Sequence, residues 1–167
     1  MAAVLIAVAL YVVENYGGNG FVPSWDQIYQ WIGLEPSQSE TAAPLPEGKT
    51  EVVFLDVGQG DAVLILQNGA ACLIDAGPKD ARQDLVQDLR SYGVSQLDLL
   101  VMTHPHADHV GGMQAVLQNF DVQTLLTPDL SETDVTGQTQ RTLQTAQECG
   151  VPVETAYTGQ QLSLIHI

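Results

Sequence analysis

Apolar residues of this chain occur in two patterns, short continuous runs and helical repeats, which alternate along its central part. The runs that predict strands are residues 51–57, 62–66, 71–74, 99–102, 122–126 and 151–155. The first two runs are separated by Gly58-Gln59-Gly60-Asp61, a segment of turn-forming residues, and this arrangement predicts a hairpin. A β-rich opening followed by alternating helices and strands indicates an α/β fold.

Three segments have the periodicity of helices. Residues 80–92 place their apolar side chains on one face and end before Gly93, a residue that favours a helix C-terminus. A second helix is expected to begin near Gly111 and to pack its apolar stripe into the core. The third covers residues 139–149 and ends at Gly150. These helices would cover one face of the predicted sheet.

The strongest chemical signal is a cluster of His104, His106, Asp108 and His109, which directly follows the apolar run at residues 99–102. Neutral imidazole and carboxylate are ligands for zinc-like divalent metals. Residues two apart on an extended segment face the same way, so His104 and His106 are predicted to hold one ion. Asp108 and His109 are predicted to hold a second ion beside it. The alternative, a solvated histidine-rich turn, is less consistent with so many potential ligands in this order.

Three spaced motifs resemble a known family. Residues 103–109 resemble the T-H-x-H-x-D-H signature of the metallo-β-lactamase superfamily of hydrolases. Together with residues 54–62, 73–77 and 97–104, they resemble the hydrolase domain of ComEC-type competence (DNA-uptake) proteins. The resemblance covers about residues 50–160 and implies a metallo-β-lactamase-type αββα sandwich, of which the chain would contain the first half only.

The resemblance also implies a site. It suggests two divalent metal ions, zinc first and manganese as the alternative, with a metal-bound hydroxide as nucleophile that Asp108 would help to orient. Asp75 would support the metal-binding loop through hydrogen bonds. The remaining residues expected beside the ligands are Asp56, Gln59, Asp61 and Thr103. From the residues alone, a simple turn at Gln59 and Asp61 and a local role for Thr103 stay open as alternatives.

The charge balance limits the choice of substrate. The chain has 5 basic and 20 acidic residues, a formal net charge of −15. Non-specific DNA affinity comes mostly from basic residues, so this balance argues against a broad DNA-binding surface. Metal ions can still engage phosphate despite acidic surroundings. The resemblance implies DNA or another phosphodiester as partner, and the charge balance favours its engagement through the metal site rather than through a basic face.

The two ends of the chain suggest further segments. Residues 1–13 resemble a hydrophobic anchor or signal-like segment, and residues 14–49 a linker with a short amphipathic piece. These features predict a membrane-anchored or exported protein whose catalytic domain, residues 50–161, lies outside the cytoplasm. Residues 162–167 resemble the translated end of a sequencing adapter, with a native strand as the alternative. Further metal ligands known from the superfamily would follow later, so we expect the chain alone to lack robust activity.

Two hypotheses on function follow. The first is a binuclear metal-dependent hydrolase, phosphodiesterase- or nuclease-like, with hydrolysis of another ester or an amide as its variant. The second is a non-catalytic anchored domain that binds metal for structure or recognition. The oligomeric state does not follow from the sequence.

Overall fold

The computed structural model describes residues 47–131 and 135–162. Its helices and strands are short and follow one another closely. In chain order they are β1 (Thr50–Phe54), β2 (Val63–Gln67), β3 (Ala70–Ile74), a 3-10 turn (Lys79–Ala81), α1 (Arg82–Ser91), β4 (Gln96–Leu97), β5 (Leu99–Val101), α2 (Ala107–Val110), α3 (Met113–Asn119), β6 (Asp121–Val122), β7 (Leu125–Thr127), α4 (Gly137–Cys149) and β8 (Val153–Thr155).

Six of the strands form one sheet in the order β1-β2-β3-β5-β7-β8. The first three are antiparallel neighbours, as the predicted hairpin requires, and β3, β5, β7 and β8 are parallel. Strands β4 and β6 form a separate parallel pair. Since parallel strands end at the same edge of a sheet, the residues that follow β3, β5 and β7 lie side by side.

The core lies between one face of this sheet and the helices. A row of leucines crosses the sheet at paired positions, Leu64 with Leu73, Leu73 with Leu100, and Leu100 with Leu125. All four are fully buried, and they belong to the same cluster as the apolar residues of α1 and α3. The apolar periodicity of the sequence therefore corresponds to the observed core.

The opposite face of the sheet is also apolar but more open. The side chains on this face include Phe54, which is 81% exposed, and Val52, which is 51% exposed. Phe54 is paired with Val63, which in turn faces Ile74 on the next strand. This face of the sheet is therefore apolar and partly exposed to solvent.

The predicted α/β class is confirmed, and most elements lie within a few residues of their predicted positions. The helix expected near Gly111 is α3, but a short helix that was not expected, α2, precedes it and begins at Ala107. The two glycines between them are sites of close approach, since a Cβ on Gly111 would overlap the backbone nitrogen of Lys79. The predicted strand at 122–126 is two strands, β6 and β7, in different sheets.

The predicted anchor at residues 1–13 and nearly all of the predicted linker lie outside the described residues, as do residues 163–167. Within the described ranges, none of the helices combines the length and the apolar character needed to cross a bilayer.

Candidate metal centre

The candidate site lies at the carboxyl ends of β3 and β5. These strands are parallel, with Ile74 paired with Val101, so Asp75 and the segment beginning at Met102 leave the sheet together. The backbone N–H of Asp75 donates to the Val101 carbonyl at 2.9 Å. Asp75 has a φ of 58°, a left-handed conformation that aspartate tolerates better than most residues. The sheet register thus places the Asp75 carboxylate beside the loop that follows β5.

The Asp75 carboxylate, on a residue that is 3% exposed, accepts three hydrogen bonds. Oδ1 accepts from the Thr103 backbone N–H at 2.9 Å, while Oδ2 accepts from Thr103 Oγ1 at 2.5 Å and from His109 Nδ1 at 2.8 Å. A buried carboxylate is costly unless such donors satisfy it. Asp75 therefore connects the start of the loop to a histidine near its end.

These contacts define the proton positions on two imidazoles. His109 donates its Nδ1–H to Asp75, which leaves the Nε2 lone pair free when the ring is neutral. Thr103 Oγ1 gives its hydrogen to Asp75 and can accept one from His104 Nδ1, 3.0 Å away. His104 Nε2 is then also free. A neutral ring held by its second nitrogen is the usual arrangement of a metal-binding histidine.

The helix α2 determines where the other two candidate ligands lie. His106 precedes α2 directly, and its carbonyl accepts from the backbone N–H groups of His109 and Val110, both at 3.0 Å. Asp108 and His109 therefore stand in the first and only turn of the helix. Because this additional short helix begins at Ala107, Asp108 lies near His104 and His106.

Two threonines at the N-terminal end of α4, which the sequence did not predict as site residues, hold the same loop. Thr136 Oγ1 and Thr139 Oγ1 lie 3.2 and 3.1 Å from the carbonyl of Pro105, to which both can donate. Pro105 is the residue between His104 and His106, so these bonds fix the link between the two imidazoles. The signal for them is a repeat of threonine at every third position from 136 to 145, which a hydropathy pattern does not distinguish from a solvated face.

The four candidate ligands form a compact group. His104, His106 and Asp108 offer ligand atoms within 4.8 Å of one another, and so do Asp75, His104 and His109. The His104 ring centroid is 3.8 Å from that of His109 and 4.8 Å from that of His106. This grouping differs from the predicted pairs, since His104 belongs to both sets.

Imidazole and carboxylate donors with free Nε2 atoms fit a zinc-like divalent ion. Because both Asp75 oxygens already accept hydrogen bonds, Asp75 suits orientation of His109 better than direct coordination.

The loop between β1 and β2 lies against this site through Gly60 and Asp61. Gly60 lies against the backbone carbonyl of Asp108, where a Cβ would overlap it. Asp61 Oδ2 lies 3.7 Å from His109 Nδ1, and the Asp61 carbonyl accepts from the Gly77 N–H at 2.9 Å. Asp56 instead accepts from Gly58 within its own turn, and Gln59 is exposed. Asp61 is thus near the cluster, whereas Asp56 and Gln59 make no hydrogen bond to it among the described residues.

Comparison with known proteins agrees with this geometry. Residues 55–143 match the sequence profile described as the metallo-beta-lactamase superfamily. The chain belongs to the metallo-β-lactamase superfamily. Members of this superfamily are generally hydrolases, and the superfamily implies divalent metal binding.

Two curated relatives are competence-related by name. The chain is similar to "Competence protein ComA" of Neisseria gonorrhoeae, at 41% identity over 73 residues, which is 43% of this chain and 11% of that protein. It is also similar to "ComE operon protein 3" of Bacillus subtilis (strain 168), at 30% identity over 142 residues, 72% of this chain and 18% of that protein. The chain thus spans less than a fifth of either relative.

Among solved structures, the metallo-β-lactamase SMB-1 bound to 2-mercaptoethanesulfonate is similar over 70% of this chain and 47% of that chain. The identity is 23% and the TM-score is 0.48.

Proposed function

We propose that this domain is the histidine-bearing part of a binuclear metal-dependent hydrolase that acts on phosphodiesters. The observation that supports the proposal best is the pair of hydrogen bonds that engages Nδ1 of His104 and of His109 and leaves Nε2 free on both rings. His104, His106, Asp108 and His109 would hold the ions. Divalent ions bound there would polarise a phosphoryl oxygen and make a water molecule more acidic.

The side chains themselves have distinct tasks in this proposal. Asp108 Oδ2 lies 3.8 Å from His109 Nε2 and its side chain is 45% exposed, so it can accept a hydrogen bond from an incoming water and take its proton. The oxygen of that water forms the new bond to phosphorus, the P–O bond of the ester breaks, and the departing ester oxygen takes the proton that Asp108 accepted. Asp75 and Thr103 keep the imidazoles oriented throughout, because their hydrogen bonds do not involve the reacting groups.

Competence-related names among the relatives support a nucleic acid or a smaller phosphodiester as substrate class. The formal charge of −15 favours engagement of one phosphate at the metal centre over extended backbone contacts. We therefore propose a phosphodiester substrate, with carboxylic esters and amides as the competing class. An extracytoplasmic location of the domain belongs to the same proposal.

The test combines binding and turnover. Zn²⁺ and Mn²⁺ titrations of this chain should saturate at two ions per chain. The Asp108→Asn variant should have a lower affinity for the second ion. Asp129→Asn, a change at an exposed aspartate that accepts from the Ser131 N–H, is the matched control. Hydrolysis of bis(p-nitrophenyl) phosphate, of single- and double-stranded DNA, and of ester and amide probes is then compared for this chain and for any longer gene product that contains it.

The outcomes separate the hypotheses. Phosphodiester hydrolysis that depends on Asp108 but not on Asp129 supports the proposal. Hydrolysis of the ester or amide probes alone would show that the substrate belongs to the competing class, the carboxylic esters and amides. Saturation by metal without hydrolysis of any probe, in the longer product as well, would favour a non-catalytic metal-binding domain. Absence of metal binding would overturn the proposal entirely.

A further inference from the structure

A second polar feature lies among the helices, away from the sheet edge. It is a cleft of about 150 Å³ between the start of α1 and the faces of α3 and α4. Most of its lining residues are lysine, arginine or glutamine, namely Lys79, Arg82, Gln114, Gln118, Gln138 and Arg141. We call it the basic cleft.

The basic cleft concentrates the few cations of an acidic protein. The chain has 5 lysines and arginines in total, and Lys79, Arg82 and Arg141 line this one cleft. No carboxylate of the described residues lies within 4.0 Å of these three cations. All ion pairs among the described residues involve His109, which does not line the cleft. The described lining residues also include no acidic side chain. Three cations with no described carboxylate within 4.0 Å create a local attraction for an anion.

The neutral lining groups have the same preference. Gln114 and Gln118 are four residues apart on α3, and Gln138 and Arg141 three apart on α4, so each helix turns one polar face to the cleft. Glutamine amides offer N–H donors, and guanidinium groups match the spacing of phosphate oxygens. We propose that the basic cleft binds a phosphate group, carried by a phosphate monoester or by a nucleic-acid backbone.

This site is separate from the candidate metal centre. Val110 and Gly111, at the C-terminal end of α2, form part of the cleft wall, whereas His106 stands at the opposite end of that helix. The histidines do not line the cleft. The inference therefore does not depend on hydrolase activity and can hold even if the metal centre proves inactive.

The experiment is a titration of the full chain, at low salt and without metal, followed by ¹H–¹⁵N NMR. The probes are inorganic phosphate, a nucleoside monophosphate and a short single-stranded oligodeoxynucleotide. Arg141→Gln and Lys79→Gln test the cleft. Arg90→Gln and Lys49→Gln remove the same charges elsewhere, because Arg90 contacts Asn119 and Phe120, and neither residue lines the cleft.

We expect the Gly111 amide signal to shift on addition of phosphate. The loss of one charged hydrogen bond should weaken binding about tenfold in Arg141→Gln, and the matched controls should bind like the unmodified chain. If the source is a nucleic-acid backbone, the oligonucleotide should bind more tightly than the monophosphate. Its log affinity should then fall with log salt with a slope of about −0.7 per phosphate contacted.

If monophosphate and inorganic phosphate bind as well as the oligonucleotide, the ligand is a small phosphate compound, and the inference stands in that form. Two results would overturn it. One is equal weakening in the cleft variants and the controls, which would indicate attraction to overall charge alone. The other is a Gly111 signal that does not respond to any of the three probes.

Discussion

Replacement of Asp75 by asparagine should change the protonation pattern of two histidines without removing either of them. In the structure, Oδ1 accepts from the Thr103 N–H, while Oδ2 accepts from Thr103 Oγ1 and His109 Nδ1. An asparagine has one acceptor oxygen. If that oxygen keeps the bond to the Thr103 N–H, the new NH₂ group faces the other two partners, both of which can accept.

The substitution therefore changes which nitrogen carries the proton on both imidazole rings. His109 Nδ1 must accept from the new amide, which moves the His109 proton to Nε2. Thr103 Oγ1 also accepts from the amide and can turn its own hydrogen towards His104 Nδ1, 3.0 Å away. Both imidazoles would then carry a hydrogen on Nε2, the nitrogen that the metal needs. The opposite amide orientation would leave the Thr103 N–H facing an NH₂ group and lose a hydrogen bond to a charged acceptor.

The expected magnitudes follow from these two arrangements. Metal affinity should fall roughly 10- to 100-fold, as for other losses of a partner that orients a metal-binding histidine. The free energy of unfolding should fall by at most about 1.5–3 kcal/mol, the contribution of one hydrogen bond to a charged group. The backbone should not resist the change, because asparagine also tolerates the φ of 58° at this position.

The assay is a competitive Zn²⁺ titration together with long-range ¹H–¹⁵N NMR of the histidine rings, which distinguishes the tautomers. Asp98→Asn is the matched control, since Asp98 Oδ2 accepts from the Ala71 N–H at 2.9 Å, remote from the histidines. Asp98→Asn should lose stability but keep its metal affinity. If Asp75→Asn retains Nδ1–H on both rings, or binds Zn²⁺ as tightly as Asp98→Asn does, the orienting role assigned to Asp75 is wrong.

Four further predictions concern Gly111, Thr139 and the buried thiol of Cys72. Gly111→Ala should destabilise the fold by about 1–3 kcal/mol or more in thermal unfolding, since its Cβ would overlap backbone, whereas Gly137→Ala should be close to neutral. Thr139→Val removes a buried hydroxyl that bonds to the Pro105 carbonyl, so it should cost about 0.5–1.5 kcal/mol and weaken Zn²⁺ binding; unchanged binding would contradict the proposed support from α4. Burial, and secondly the nearby Asp98 carboxylate, raises the pKa of the Cys72 thiol to about 11, so iodoacetamide at pH 8 should modify exposed Cys149 first. Because the unfolded thiol ionises near pH 9.0, this group should also reduce stability as the pH rises from about 9 to 11, which urea unfolding across that range can measure.

The sequence predicted what depends on local pattern. Apolar runs identified the strands of the central sheet, because buried parallel strands are continuous in hydrophobicity. The His104–His109 cluster was recognisable because its members are adjacent in sequence. The role of Asp75 followed only from the family resemblance, since nothing local connects it to a histidine 34 residues later.

The features that were missed depend on tertiary contacts. Gly111 was interpreted as the beginning of a helix, yet it is needed because the Pro78–Lys79 backbone packs directly against it. Thr139 is fully buried, although the helix around it is polar by composition. The basic cleft combines Lys79 with Arg141, and no periodicity of the sequence connects positions so far apart.

The hydrogen bonds of Asp75 also determine when during folding the site can exist. Thr103 and His109 lie 28 and 34 residues beyond Asp75 in the sequence, and α1 lies between them and Asp75. These hydrogen bonds can therefore form only once β5 pairs with β3. Contacts at such separations form late relative to local helices and hairpins. Metal binding would therefore report the pairing of β5 with β3, and a stopped-flow experiment with a zinc-sensitive dye could time that step directly.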